Sequence, residues 1–407
     1  MIEKMKLKKL KDVCFIKPPK NESKSLINNN DLVSFVPMSD LGINQKYINI
    51  NDSKELEKVY SGYTYFKEND VLLAKITPCF ENGKLGIAKN LKNGIGFGSS
   101  EYIVYRPKSK DEIDSEYLYY FLSQESFRKI GSGIMTGAVG HKRIPKDFYE
   151  DFLIPLPKNI EEQKEIVKIL DKAFESIEQA KANIEKNIEN TKELFQSRLN
   201  EIFSQKGDGW EEKELIEINK FIDYRGKTPK KTESGIRLIT AKNVKMGVLN
   251  REPEEYIDTN DYESWMTRGI PQKGDVLFTT EAPLAMVALL DTDEKIALAQ
   301  RIITLCPNRE ILSGEYLSYC MQSDIVQNRI LEKGTGATVT GIKSKLLKEI
   351  LIPIPKNKNI QKRIVDEIDS LKERTKQLEK HYNQKLKNLE ELKKSILQKA
   401  FSGELLK

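Results

Sequence analysis

The chain has 407 residues, of which 39% are hydrophobic and 31% charged, and its formal net charge is +6. No apolar run reaches the roughly 18 residues of a membrane-spanning helix, and no apolar segment follows the basic start, so neither a membrane protein nor a secretory signal is expected. Four scattered cysteines and only two histidines argue against a zinc site or a disulfide framework, and they fit a reducing cytoplasm.

Residues 1–157 are predicted to form a first globular domain of mixed α/β (α+β) type. Short apolar runs begin at Leu32, Val71 and Tyr102, and turn-forming stretches such as Glu81-Asn-Gly-Lys separate them. Short apolar runs between turn signals are typical of buried strands.

The end of this domain carries three further signals. A helix is predicted over 115–122, with Ser115 as its N-cap. A glycine-rich basic loop covers 131–143. An edge strand is predicted at 152–154, and it stops before two prolines because proline continues neither a helix nor a central strand.

Residues 158–206 are predicted to form one long helix, on the order of 65 Å at about 1.5 Å per residue. Apolar or neutral residues recur at alternating steps of four and three, which is the pattern of a coiled-coil seam. Charged side chains such as Glu178 and Lys181 are expected to face outward, where charge reversal should spare folding. The predicted seam consists of Ile166, Leu170, Ala173, Ile177, Ala180, Ile184, Asn187, Thr191 and Leu194.

The second half of the chain repeats this order, with a domain at 207–355 and a helix at 356–407. Leu153-Ile-Pro-Leu-Pro-Lys-Asn returns at Leu351 as Leu-Ile-Pro-Ile-Pro-Lys-Asn, at an offset of 198 residues. This constant offset indicates a tandem duplication, and two equal helices can pair antiparallel within one chain. The second predicted seam consists of Ile364, Ile368, Leu371, Thr375, Leu378, Tyr382, Lys385, Leu389, Leu392 and Ile396.

The sequence contains no catalytic signature. Gly226-Lys-Thr matches only the end of a phosphate-binding loop, because Phe221 stands where the first glycine belongs. Gly94-Ile-Gly-Phe-Gly lies between predicted strands and favours a turn. His141 lies in a basic loop without a visible partner, which favours an exposed side chain or a DNA contact over a general base.

Basic loops rich in glycine and threonine recur in both halves and are the candidate DNA contacts. Cations on phosphates supply affinity, and polar side chains supply hydrogen bonds to base edges. A single such lysine is more often a solvated surface charge, so recurrence in both repeats is what favours DNA binding. The candidates are Lys75, Thr77, His141, Lys142 and Arg143 in the first domain, Tyr224, Arg225, Lys227, Thr228, Lys230, Lys242, Asn243, Lys245, Lys343 and Lys345 in the second, and Lys17 and Lys20 as weaker ones.

These features, in the same order twice, resemble the DNA-specificity subunits of Type I restriction–modification systems over essentially the whole chain. The resemblance is carried by the duplicated blocks at Leu153 and Leu351, each continued by Gln-Lys-x-Ile-Val, and by the Asp-Val-Leu of each half. Tyr224-Arg-Gly-Lys-Thr-Pro and the alternation of domain and helix complete it.

The resemblance implies two target-recognition domains that each read one half of a split double-stranded DNA site. The paired helices would set the spacer and dock two methyltransferase (modification) subunits. The chain itself would be non-catalytic and hold no cofactor, with S-adenosylmethionine, ATP and Mg expected in partner subunits. Whether two restriction (motor-nuclease) subunits join them stays open, and no membrane partner is expected.

Two other interpretations stay open at this point. The chain could be a non-enzymatic coiled-coil scaffold with two protein-binding domains, which predicts no salt-sensitive DNA binding. It could also be a self-sufficient DNA enzyme, which requires a catalytic motif that the sequence does not show.

Overall fold

The computed structural model describes residues 5–205, 207–226, 228–336 and 340–405 and divides into two compact units. Unit 1 consists of Met1–Ile184 with Gln384–Lys407, and unit 2 consists of Glu185–Asn383. Across the described ranges, no helix is both long and apolar enough to cross a membrane.

Unit 1 contains the first domain and the beginning of the first long helix. Its strands are β1 (Lys6–Lys9), β2 (Cys14–Ile16), β3 (Leu32–Val36), β4 (Asp52–Glu55), β5 (Thr64–Lys67), β6 (Val71–Ala74), β7 (Leu85–Ile87), β8 (Ile95–Gly98), β9 (Tyr102–Pro107) and β10 (Leu153–Leu156). Its helices are α1 (Leu10–Val13), α2 (Asn21–Lys24), α3 (Leu56–Tyr60), α4 (Ser115–Leu122), α5 (Glu125–Gly133), α6 (Lys146–Asp151) and the start of α7 (Ile160–Ser204), with a 3₁₀ turn at Lys92–Gly94.

Two four-stranded sheets build this domain, in the orders β2-β9-β6-β7 and β4-β3-β8-β5, and β1 pairs with β10. Successive side chains of a strand point to opposite faces of the sheet. Val71 and Leu73 of β6 accordingly join the buried cluster that contains α4, whereas Leu72 and Ala74 join a second cluster with Phe66 of β5. The first sheet therefore lies between a helical layer and the second sheet, and the predicted strands at 32, 71 and 102 are confirmed.

Three local predictions need correction. Asp114, not Ser115, caps α4, because its Oδ1 accepts from the backbone N–H groups of Glu116 (2.8 Å) and Tyr117 (3.1 Å). The predicted loop 131–143 starts inside a helix, since α5 ends at Gly133. The edge strand β10 includes Pro155, which is tolerated because β10 pairs only with β1.

Unit 2 repeats the architecture. Its strands are β11 (Trp210–Glu214), β12 (Asn219–Asp223), β13 (Lys231–Thr232), β14 (Ile236–Ile239), β15 (Val244–Lys245), β16 (Val248–Leu249), β17 (Tyr256–Ile257), β18 (Val276–Thr279), β19 (Val287–Leu289), β20 (Ile296–Leu298), β21 (Ile302–Pro307) and β22 (Leu351–Pro355). Its helices are α8 (Leu215–Ile218), α9 (Tyr262–Trp265), α10 (Gly314–Gln322), α11 (Asp324–Glu332), α12 (Ser344–Lys348) and the start of α13 (Lys358–Ser402), with a 3₁₀ turn at Thr259–Asp261.

The sheet order β12-β21-β18-β19 matches β2-β9-β6-β7 strand for strand, and β11 pairs with β22 as β1 pairs with β10. The second sheet, β13-β17-β14-β20, keeps one parallel pair, β14 with β20, as unit 1 keeps β3 with β8. The duplication seen in the sequence is therefore a duplication of the fold.

The long helices α7 and α13 have 45 residues each, as the sequence predicts. In unit 1, Glu178 pairs with Lys393 (2.9 Å) and Lys181 pairs with Glu390. Residue numbers rise along one helix while they fall along the other, so the helices run antiparallel. The predicted fold class, a tandem α/β repeat with an antiparallel intramolecular coiled coil, is confirmed.

Glu178 is exposed, as predicted, and Lys181 is half-buried, but both form ion pairs across to α13. The pKa of the Glu178 carboxyl is lowered, and the main cause is the hydrogen bond that Lys393 donates to it. Charge reversal at these positions therefore acts on helix pairing as well as on the surface.

Two positions of the predicted seam are displaced in the second half of α7, although Thr191 is buried as predicted. Asn187 and Leu194 are exposed, and the side chains of Ile188 and Phe195 are half-buried in their place. The same displacement occurs in α13, where Lys385 and Leu392 are exposed. An α-helix turns every 3.6 residues rather than every 3.5, so a strict pattern of fours and threes drifts off the buried face.

Candidate nucleic-acid interface

In unit 1, the structure brings together the five main candidates predicted for the first domain, whereas the weaker candidate Lys20 lies elsewhere and donates to Tyr60 O (3.0 Å). The basic loop closes on itself through Thr136 N–H to Arg143 O (3.0 Å) and Arg143 N–H to Thr136 O (2.8 Å). Its end is joined to the segment after β6 by Thr77 N–H to Lys142 O (2.9 Å) and Ile144 N–H to Lys75 O (3.0 Å). These backbone bonds hold Lys75, Thr77, Lys142 and Arg143 side by side, with His141 next to them in the chain.

The centre of this cluster is the carboxylate of Glu101, which the sequence did not single out. Arg143 holds it through two hydrogen bonds, Nε to Oε2 (2.9 Å) and Nη2 to Oε1 (2.8 Å). Lys75 Nζ lies 3.6 Å from Oε2. The hydrogen bonds from Arg143, ahead of the charges of Lys75 and Arg143, hold the pKa of Glu101 below its ordinary value.

Lys17, a weaker candidate in the sequence, belongs to the same cluster. Burial lowers the pKa of the Lys17 amine and is the largest cause of the change. The positive charge of Lys75 is the second cause and lowers it further. Three cations around one carboxylate leave this surface positive. The exposed His141 and Lys142 and the tip residue Val139, which is 93% exposed, extend it toward solvent.

In unit 2, a cavity of about 310 Å³ marks the equivalent place. Two predicted residues, Arg225 and Lys343, line it. The other lining residues were not predicted and supply both donors and acceptors: Gly226, Thr280, Glu281, Gln300, Arg301, Thr335, Gly341 and Ile342.

The backbone of this cavity is built like the unit 1 cluster. Thr335 and Gly341 exchange N–H to O bonds (2.8 and 2.9 Å), and Ile342 N–H donates to Thr280 O (3.0 Å). Thr280 N–H donates to Arg301 O (3.0 Å), as Lys75 N–H donates to Glu101 O (3.0 Å). Thr280 therefore takes the place of Lys75, and Arg301 takes the place of Glu101. One sequence signal could have identified these two residues, because each ends the turn that precedes a strand: Glu101 lies before β9 and Arg301 before β21.

Two ion pairs lie at this cavity. Arg301 Nε is 2.9 Å from Glu281 Oε1, and both side chains are about half exposed, at 50% and 43%. Arg225 holds Asp223 through Nη2 to Oδ2 (2.7 Å). Arg301 has a φ of 74°, in the left-handed region that a side chain other than glycine occupies at a cost of roughly 1–3 kcal/mol. Such residues cluster at functional sites, and this one carries a charged side chain into a cavity.

A DNA contact by Asn243 or Tyr224 is not supported, because the structure assigns both side chains to the interior. Asn243 is fully buried, and its Oδ1 accepts from Thr240 N–H (2.9 Å) while its Nδ2 donates to Pro253 O (3.0 Å) and Asn250 O (3.2 Å). Tyr224 is 3% exposed, and its hydroxyl donates to Gly269 O (2.9 Å) and accepts from Arg268 N–H (2.7 Å). Their polar atoms are used within the fold.

The remaining predicted residues lie at the surface or outside the described part of the chain. Lys227 is outside the described residues. Thr228, Lys230, Lys242, Lys245 and Lys345 are exposed and do not line the cavity. Lys242 Nζ lies 3.6 Å from Glu255. As DNA contacts, these exposed residues stay predictions.

Chemically, both sites offer guanidinium and ammonium donors beside carboxylate, amide and hydroxyl groups. This combination suits hydrogen bonding to phosphates and to base edges. Among the described residues, no group of three or more His, Cys, Asp or Glu side chains is placed to hold a metal ion.

The duplication of both fold and site corresponds to a duplicated family match. The model of the Type I restriction modification DNA specificity domain matches residues 2–190 and again 207–388. The chain belongs to this family. Each repeat thus contains one specificity domain, and the candidate clusters at Glu101 and Arg301 lie one in each.

Known members of the specificity-domain family align with different lengths of this chain. The EcoEI specificity subunit of Escherichia coli is 39% identical over 132 residues, which cover 32% of this chain but only 22% of that protein's length. The MjaVIII specificity subunit of Methanocaldococcus jannaschii is 24% identical over 96% of this chain and 91% of its own. The solved HsdS subunit from Thermoanaerobacter tengcongensis shares the fold, with a TM-score of 0.69 at 19% identity over 99% of this chain and 98% of its own.

Proposed function

We propose that this chain is the DNA-specificity subunit of a Type I restriction–modification complex, in which each globular domain reads one half of a bipartite double-stranded DNA site. The observation that carries this proposal is the pair of equivalent sites, one in each repeat. Both are held by the same backbone bonds, and both combine arginine or lysine with a glutamate. The side chains differ between the repeats, as two domains that read different half-sites require.

The long helices have two roles in the proposal. Their equal length of 45 residues, about 1.5 Å per residue, makes them a spacer between the two half-sites. Their exposed charged faces would dock two methyltransferase subunits. Those partners supply S-adenosylmethionine and methylate adenine, so the present chain contributes recognition and no chemistry. Two restriction subunits with ATP and Mg would join where the system also cleaves.

The test is a comparison of adenine methylation across the genome of a strain that expresses the chain with its methyltransferase partner. Deletion of the gene should abolish methylation at one bipartite sequence, and a reintroduced copy should restore it. The methylated sequence would reveal both half-sites and the spacer together.

Unchanged methylation after deletion, with the methyltransferase subunit present, would contradict the proposal. The coiled-coil scaffold interpretation would then gain support. The salt dependence of DNA binding separates the specificity-subunit proposal from the scaffold interpretation. In the proposal, the affinity of the assembled complex for double-stranded DNA should fall steeply as the salt concentration rises, because contacts to phosphates release counterions. A scaffold predicts no such dependence.

A further inference from the structure

We propose that Arg143 in unit 1 and Arg301 in unit 2, each held by a glutamate, read one guanine in each half of the DNA site. This inference rests on the proposed function and assigns its specificity to two named side chains. The guanidinium groups are the readers, and Glu101 and Glu281 are positioning residues that orient them.

In unit 1, the guanidinium of Arg143 is held along one edge. Nε and Nη2 donate to the carboxylate of Glu101 at 2.9 and 2.8 Å, and Nη1 donates to His141 O at 3.1 Å. One N–H of Nη1 and one of Nη2 form no hydrogen bond with any other described residue. The side chain is 46% exposed, so this free edge is accessible to a ligand.

In unit 2, Arg301 is held more loosely and is equally accessible. Its Nε lies 2.9 Å from Glu281 Oε1, and its side chain is 50% exposed at the wall of the cavity. Within the described ranges, its two Nη atoms donate no hydrogen bond. Gln300, Thr280 and Lys343 line the same cavity and can support contacts to neighbouring bases or phosphates.

The two pairs share one equivalent backbone position, that of Glu101 and Arg301, and differ at the other. Arg143 lies in the loop where unit 2 has Gly341, whereas Glu281 follows Thr280, where unit 1 has Ile76. Glu101 and Arg301 both end the turn before the central strand, and each accepts a backbone hydrogen bond of 3.0 Å at its carbonyl. In unit 1 the turn carries the acid and the loop carries the arginine, and in unit 2 the turn carries the arginine. Each site thus contains an arginine paired with a glutamate, although the pairs are built from different backbone positions, which favours a role for the pair itself.

The chemistry of the free edge selects the base. Guanine presents two acceptors, O6 and N7, side by side in the major groove, and a guanidinium edge donates to both at once. Adenine presents an amino donor beside N7, which would oppose one of the Nη donors. In unit 1, the two hydrogen bonds from Arg143 to Glu101 already fix the guanidinium plane, which reduces the side-chain freedom lost on binding. The geometry therefore favours guanine over the other bases.

The test is the recognition sequence of variants in the assembled complex, read from adenine methylation and from enrichment of randomised double-stranded DNA. Arg301→Gln should relax one G·C position in one half-site, with a loss of discrimination of about 10- to 100-fold, and leave the other half-site unchanged. Arg143→Gln should do the same in the other half-site. Arg251→Gln is the matched control, because it removes an arginine paired with Asp291 in unit 2 that does not line the cavity.

Arg301→Lys keeps the inference testable if the Arg301→Gln complex folds but no longer methylates DNA. It keeps the charge and loses the two-pronged donor edge, so it should bind DNA and still relax the same G·C position. An unchanged recognition sequence in Arg301→Gln or Arg301→Lys would overturn the inference, as would relaxation at an A·T pair or in both half-sites together. A wild-type complex without a bipartite sequence would instead refute the proposed function.

Discussion

At the residue scale, two buried glutamines explain why the same short block occurs twice in the sequence. Gln163, 1% exposed, accepts from Asp114 N–H (3.0 Å) and donates to Glu112 O (2.9 Å). Gln361, 4% exposed, donates to Ile311 O (3.0 Å) and Pro355 O (2.9 Å). Each glutamine thus ties the first turns of a long helix to the backbone just before the main helix of its own domain.

Replacing Gln163 with Leu should lower the free energy of unfolding of unit 1 by about 1–3 kcal/mol, because it leaves buried backbone groups unpaired. Hydrogen exchange of unit 1 peptides during urea unfolding would measure it. Gln361→Leu is the matched variant in unit 2, where tryptophan fluorescence reports directly, since Trp210 and Trp265 both lie there. Wild-type stability in either variant would show that the glutamine does not anchor its helix.

The residue scale also shows which parts of the sites were predictable. The recurring loops at 136 and 335 led to the two candidate clusters, because their glycine and basic residues stand out in the sequence. Glu101, Gln300 and Arg301 were missed because they reach the site through backbone pairing of a distant turn. The interior position of Asn243 could not be predicted, since a polar residue in a turn looks the same in sequence whether it satisfies its own backbone or faces a ligand.

At the element scale, periodicity predicted the long helices but not the whole of their buried face. The pattern of fours and threes holds as far as Ile184. Beyond it Thr191 is still buried as predicted, but Leu194 is 57% exposed, while Leu199, outside the predicted seam, is 1% exposed. The equivalent leucine of α13, Leu392, is also exposed, at 47%. Which leucines are buried depends on the partner helix and the adjoining domain, and neither is encoded in the local pattern.

Two leucines of α7 give a matched test of this face. Leu199→Ala should lower the free energy of unfolding of unit 2 by about 2–5 kcal/mol, since it opens a cavity in a buried cluster. Leu194→Ala makes the same chemical change on the exposed face and should stay within about 0.5 kcal/mol. Tryptophan fluorescence during urea unfolding measures both. A larger loss for Leu194→Ala than for Leu199→Ala would mean that the seam runs where the strict pattern placed it.

At the scale of the whole molecule, each domain core is completed by the end of the helix that follows the other domain. Phe401, near the end of α13, packs on Tyr117 of unit 1 with ring centroids 5.0 Å apart. Phe203, near the end of α7, packs on Tyr316 of unit 2 at 5.5 Å. The two phenylalanines lie 198 residues apart, which is the offset of the duplication, and the sequence predicted that the helices can pair antiparallel. It did not show this exchange, because helical periodicity identifies an apolar face without identifying the domain that buries it.

The exchange predicts that damage at the end of one helix loosens a domain remote in sequence. Phe401→Ala should destabilise unit 1 and Phe203→Ala unit 2, each by about 3–5 kcal/mol, because each removes a large buried ring from a core cluster. Hydrogen exchange should then rise in α4 for Phe401→Ala and in α10 for Phe203→Ala, and each variant serves as the control for the other. If Phe401→Ala raised exchange only in the last turns of α13, that helix end would be a surface attachment rather than part of the unit 1 core.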